Sequence, residues 1–201
     1  MEGNRTIPWN VAHWLNRPPS VDIDGDDLIV STADRSDFWR RTSYGFIHDN
    51  GHALLAALPL GTAIEVTYEA DFEALFDQAG IMVRVDERTW VKAGVEFSDG
   101  VPQLGAVATR EFSDWSLAPA PEWIRRPITV RASRSGDALT IRAHKGDGQW
   151  QLVRVTPLAP DVVANAGPFC CSPTRRGLVV RFTRFVRGAA DASLHAEGPG
   201  V

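Results

Sequence analysis

Apolar and polar residues alternate with a period of two along most of the chain. In TAIEVTYEADFE, Ile64, Val66, Tyr68, Ala70 and Phe72 fall on one face of an extended segment, and Glu65, Thr67, Glu69, Asp71 and Glu73 on the other. DDLIVSTA, AGIMVRVD, TWVKAGVEF, QLGAVATREF, RPITVRAS, DALTIRAH, QWQLVRVTP and LVVRFTRFVR repeat the pattern. Turn-forming clusters separate them: DIDGDD, HDNGH, FSDG, RSGD and KGDGQ. No long amphipathic helix is present, and HALLAALP and FEALFDQA are ambiguous segments that offer a turn of helix at most. About twelve short strands with regular turns predict an all-β, two-sheet antiparallel sandwich, and the length favours a large jelly roll over an immunoglobulin domain.

The pattern also selects a register for DQAGIMVRVDERTWVKAGVEFSDG. With Asp86, Glu87 and Arg88 as the turn, Val83 faces Val91, Ile81 faces Ala93 and Ala79 faces Val95, an unbroken apolar face. The opposite face pairs Arg84 with Trp90, Met82 with Lys92, Gly80 with Gly94 and Gln78 with Glu96. A one-residue slip mixes the two faces. With Ser98 to Val101 as the next loop, Phe97 faces Pro102, Leu104 and Ala106 join the apolar face, and Gln103 and Thr109 join the polar one. Lys92 and Glu96 lie about 13 Å apart along an ideal strand, so each needs a partner from elsewhere. A charge left unpaired under cover there costs several kcal/mol.

Composition narrows the class. A compact domain of 201 residues buries roughly 70% of its unfolded surface. The net charge of -4 and the lack of a basic run predict no nucleic-acid partner. No apolar run approaches the ~18 residues of a membrane span, and the first residues do not read as a secretory signal, so a cytoplasmic, soluble protein is expected. Cys170 and Cys171 are neighbours that point to opposite faces of a strand, which disfavours a bridge between them and predicts no metal site. No glycine-rich phosphate loop precedes a helix, so no cofactor is expected. HDNGH reads as a hairpin turn on Asn50-Gly51.

DQAGIMVRVDERTWVKAGVE followed by VATREFSDWS, with DFWRRTSYGFIHDNGH upstream and GPFCCSP downstream, resembles the uncharacterised domain family that includes the fungal "regulation of enolase" protein. That family is placed in the concanavalin A-like lectin/glucanase superfamily. The resemblance spans roughly residues 7–187, within one domain expected over 1–187, and the small, polar, glycine-containing GAADASLHAEGPGV reads as a flexible tail at 188–201. It further implies a curved sheet whose concave face or rim takes carbohydrate in that superfamily.

The expected binding residues are Tyr44, Asp77, Gln78, Arg84, Trp90, Lys92, Glu96, Thr109, Asp114 and Trp115, aromatic platforms beside planar polar groups. Trp9, Trp14, Trp39, Trp123 and Trp150 are expected under loops. The leading reading is a lectin-like domain for a saccharide or another small hydroxylated or anionic ligand. Its alternatives are a sugar-active hydrolase with Glu96 as catalytic acid/base, and a protein-interaction regulator of a metabolic enzyme. The E-x-D-x-E pattern of EADFE resembles a glycosidase strand, but it reads first as a solvated acidic stripe. The polar cluster is otherwise a structural network.

Overall fold

A computed structural model of the chain describes residues 4–195. Its strands in chain order are β1 Arg5–Thr6, β2 His13–Leu15, β3 Ser20–Asp24, β4 Asp27–Ser31, β5 Phe38–Arg40, β6 Ile47–Asp49, β7 His52–Ala57, β8 Thr62–Ala70, β9 Gln78–Arg84, β10 Thr89–Ser98, β11 Val101–Arg110, β12 Phe112–Pro119, β13 Ile128–Ser135, β14 Ala138–Lys145, β15 Gln151–Pro157, β16 Asn165–Cys171 and β17 Val179–Ala189. A back sheet runs β15-β14-β13-β8-β17-β4-β3, with β1 also paired to β17. A front sheet runs β12-β11-β10-β9-β16-β7-β2, and β5 pairs only with β6. Every pairing is antiparallel, and the two sheets form a jelly-roll sandwich.

The alternating residues carry the core. Ile64, Val66 and Tyr68 of β8, with Val130 and Ile141, meet Ile81, Val83, Ala93 and Val95 from the front sheet. Tyr68 is fully buried, and its hydroxyl accepts a hydrogen bond from the Val95 amide at 3.0 Å, a polar tie from the back sheet to the front. The hairpin register is the expected one throughout, from Trp90 opposite Arg84 to Glu96 opposite Gln78. In the next hairpin Phe97 faces Pro102 and Ser98 pairs with Val101, leaving Asp99 and Gly100 at the tip with φ of 53° and 79°. Those left-handed angles suit a tight two-residue hairpin turn.

Four expectations are revised. HALLAALP is β7, a strand buried on both faces: Leu54 and Ala56 face the sandwich core, while Ala53 and Leu55 join a second cluster outside it. Burial on both faces removes the alternation, so periodicity alone does not separate strand from helix there. Asn50-Gly51 is no hairpin turn, since β6 pairs with β5 and the chain passes on to β7, which lies between β16 and β2. β8 ends at Ala70, so Glu69, Asp71 and Glu73 do not share one strand face; Asp71 pairs with Arg125 and Glu73 approaches Arg175. Glu65 is no solvated acid, being buried between Arg131 at 2.7 Å and Arg184 at 3.0 Å. At the far end, where a tail is expected over 188–201, β17 carries the sheet to Ala189 and Asp191 is held by Arg131 and Arg142. Residues 196–201 of that tail lie outside the described residues.

A row of glycines crosses the front sheet. Gly80, Gly94 and Gly105 stand opposite one another on β9, β10 and β11. A Cβ at Gly94 would sit 2.1 Å from the Ala79 carbonyl oxygen, one at Gly80 2.0 Å from that of Ala93, and one at Gly105 2.1 Å from that of Ser116. No side chain fits at any of the three without moving backbone. Gly94→Ala is expected to destabilise the fold by about 2–3 kcal/mol or more, the cost of overpacking against an immobile strand, measured by urea unfolding.

Candidate functional site

The face of the front sheet away from the core should meet water, yet it carries Met82, Trp90, Val107, Phe169 and Cys171. The β5–β6 hairpin covers them with Phe38 and Trp39. Two buried cations on this face fasten the cover. Arg84 makes two hydrogen bonds to the Asp49 carboxylate, at 2.7 and 2.8 Å, and Lys92 Nζ lies 3.1 Å from Asp37 Oδ1. Asp49 ends β6, and Asp37 precedes the first residue of β5, which pairs with Asp49, so both salt bridges clamp the hairpin at its base. Asn50 accepts from the Asp37 amide and donates to the Arg35 carbonyl, while the Arg40 amide donates to Ser113 Oγ at the other side.

His52 is a buried strut of the same assembly: one ring nitrogen accepts from the Ala33 amide, and the other lies 2.7 Å from the Asn16 carbonyl oxygen. The second nitrogen therefore donates, the ring is neutral, and burial lowers its pKa. Among the described residues no group of three or more His, Cys, Asp or Glu is placed to hold a metal ion.

Between hairpin and sheet lies a cavity of about 320 Å³. Lys92 and Glu96 of β10 and Gln78 of β9 form its floor; Trp39, Tyr44, Phe46 and His48 form the hairpin wall; Phe76 and Trp115 close the other sides, and Arg35, Pro173 and Thr174 complete the rim. The aromatic wall is continuous. Tyr44 stacks on Phe46 with ring centroids 5.3 Å apart, and Trp39 meets both Tyr44 and Trp115 edge to face. Its apolar lining exceeds the polar, as in most small-molecule sites.

The floor is electrostatically unfinished. Glu96 is only 8% exposed, and its Oε1 is buried without a hydrogen-bond partner. Burial pushes its pKa up to about 7; Lys92 acts against that shift and Asp37 with it. Burial also pulls on the Lys92 ammonium, but the Asp37 carboxylate, Cys171 and Glu96 outweigh it and hold the lysine above its ordinary value. One ammonium thus faces two carboxylates, and Asp37 has taken it.

Of the expected binding residues, the cavity collects Tyr44, Gln78, Lys92, Glu96 and Trp115. The other five are elsewhere. Arg84 is sealed by Asp49, and Trp90 is buried against Phe38 beneath the hairpin. Thr109 is buried and bonded to Ser113. Asp77 turns the other way, accepting from Ser172, the Glu73 and Ala74 amides and Arg175. Burial would raise the Asp77 pKa, but those donors outweigh it and the carboxyl stays below its ordinary range. Asp114 pairs opposite Ala108, a core-facing position, so it points away from its neighbour Trp115 and meets Arg154 at 2.7 Å. Trp39, expected under a loop, lines the cavity instead. Asp37, Trp39, Phe46 and His48 were not expected in the site; their only advance signal was the aromatic density of DFWRRTSYGFIHD, because nothing local says that this hairpin folds over a distant strand.

The molecule is an all-β, two-sheet jelly-roll sandwich with a lidded cavity on the outer face of one sheet. Residues 14–188 match the family described as "Protein of unknown function (DUF1349)", and the chain belongs to that family. It is 38% identical over 172 residues to "Regulation of enolase protein 1" of Saccharomyces cerevisiae, covering 86% of each chain. It is 26% identical over 193 residues to an uncharacterized protein of Emericella nidulans, covering 90% of this chain and 96% of that one. The crystal structure of a functionally unknown protein from Saccharomyces cerevisiae superposes with a TM-score of 0.87 at 35% identity, over 92% of this chain and all of the other. The GH43 protein BlXynB of Bacillus licheniformis shares the fold alone, with a TM-score of 0.68 at 15% identity over 86% of this chain and 35% of its own.

The raised Glu96 pKa has a consequence for stability. The unfolded chain releases this proton near 4.5 and the folded chain near 7, so the stabilisation is complete below pH 4.5 and is lost as pH rises through 7. Wild type is expected to lose about 3 kcal/mol relative to Glu96→Gln between pH 4 and pH 8. Denaturant unfolding of both proteins across that range measures it.

Proposed function

We propose that the cavity binds a small hydroxylated ligand, a saccharide of one or two rings being the fitting class, in the manner of a lectin and without turnover. The observation that carries this reading is the buried, unpartnered Glu96 Oε1 under an aromatic wall. A sugar ring has an apolar face to lay on Trp115 or Trp39, and hydroxyls that donate to Glu96 while accepting from the spare donors of Lys92. The volume lies at the lower end of the roughly 300–1,000 Å³ of small-molecule sites, which favours a short guest over a long chain. Two carboxylates on the cavity, Glu96 and Asp37, weigh against an anionic ligand. A cytoplasmic setting belongs to this reading, in keeping with the unpaired Cys170 and Cys171. Among the described residues no helix is long and apolar enough to cross a membrane.

The hydrolase alternative draws on the same carboxyl: Glu96 with a pKa of about 7 is a competent proton donor, and Asp37 is a second carboxylate on the cavity. Regulation of a metabolic enzyme rests on the name of the Saccharomyces cerevisiae relative and on the exposure of Tyr44, Phe46 and Ile47 along the hairpin.

Tryptophan fluorescence during titration with a saccharide panel tests the reading. Wild type is expected to respond saturably, Trp115→Ala to bind about tenfold or more weakly, and Trp150→Ala, on a separate surface, to bind as wild type. Release of a smaller sugar, abolished in Glu96→Gln with binding retained, replaces the lectin reading by the hydrolase one. No response across the panel overturns it.

A further inference from the structure

Resting on the reading of the cavity as a small-ligand site, we propose that its preferred occupant carries a cationic amine on a small hydroxylated ring, with the ammonium seated on the Glu96 carboxylate beneath the aromatic wall. Three observations converge on that charge. Glu96 Oε1 is buried and unpartnered at the floor. The Lys92 ammonium is hydrogen-bonded to Asp37 and not to Glu96 Oε1, so two carboxylates share one cation. Trp39, Tyr44, Phe46 and Trp115 line the space above it, and aromatic rings attract cations most strongly where water is excluded.

An ammonium offers three donors and no acceptor, which fits an acceptor-only carboxylate. A hydroxyl satisfies the orphan oxygen and leaves the charge uncompensated, whereas a carboxylate on the ligand meets both Asp37 and Glu96. The charged and titratable groups on the cavity with Glu96 are Lys92 on its own strand, Asp37 from the segment before β5, Tyr44 between β5 and β6, His48 on β6 and Arg35 at the rim. Gln78 on β9 and Gln103 on β11, its cross-strand neighbours, are uncharged. Glu96 is therefore the group whose ionisation the amine drives. The proton is displaced to solvent, and the carboxylate and ammonium form a charge-assisted pair.

Calorimetric titration of the full chain with three ring-matched probes, trans-4-aminocyclohexanol, 1,4-cyclohexanediol and 4-hydroxycyclohexanecarboxylate, at pH 6 and pH 8 decides the matter. At pH 8 the amine is expected to bind about tenfold or more tightly than the diol, and the carboxylate most weakly. From pH 8 to pH 6 the amine is expected to lose about tenfold in affinity, because Glu96 must then give up a proton, while the diol changes by less than about threefold. In Glu96→Gln, confirmed folded by its thermal transition, amine and diol should bind alike. In His48→Gln the pH dependence should persist. A diol that binds as tightly as the amine overturns the inference and leaves the broader reading standing, as does a pH dependence that survives Glu96→Gln. Failure of all three probes overturns the inference, and the saccharide titrations then decide the broader reading separately.

Discussion

Two positive charges that cannot stay unpaired out of water organise this molecule. Arg84 and Lys92 stand on a sheet face that the hairpin covers, and each would cost several kcal/mol if left alone there. Both find their carboxylates at the base of that hairpin, Asp49 for one and Asp37 for the other. The cover is thus set by ion pairing as much as by the apolar contacts of Phe38 and Trp39. Glu96 stands outside this arrangement. It lies on the same strand as Lys92, beyond the clamp, and the space above it is the cavity.

The strands that carry the floor owe their close approach to side chains that are missing. Three glycines in register remove side chains where the carbonyls of adjoining strands come closest, and Phe169 packs opposite Gly80 on the next strand. Beneath them the Val95 amide turns inward to the Tyr68 hydroxyl, so the strand that carries Lys92 and Glu96 is tied to the back sheet between those two residues. Polar satisfaction and close backbone approach together leave little freedom in how Glu96 is presented.

The sandwich was legible because its signals are local. Alternation and turn chemistry gave the β9–β10–β11 register residue by residue, and with it the shared face of Gln78, Arg84, Trp90, Lys92 and Glu96. Sharing a face is a weaker condition than sharing a cavity. Arg84 and Trp90 lie on the correct side and are capped, an outcome decided by residues some 35 positions away in the sequence, as for Asp49 and Arg84. Asp114 and Trp115, both expected in the site, diverge because neighbours on a strand point to opposite faces. β7 resisted reading because burial on both faces erased its periodicity, and Trp39 because the lid is a tertiary fact that its short strands do not announce.

The first and last described strands lie side by side. β1 lies against the end of β17, with Arg5 opposite Arg187, in the sheet that does not bear the lid. The first and last strands of the described chain thus belong to the sheet turned away from the mouth above Glu96.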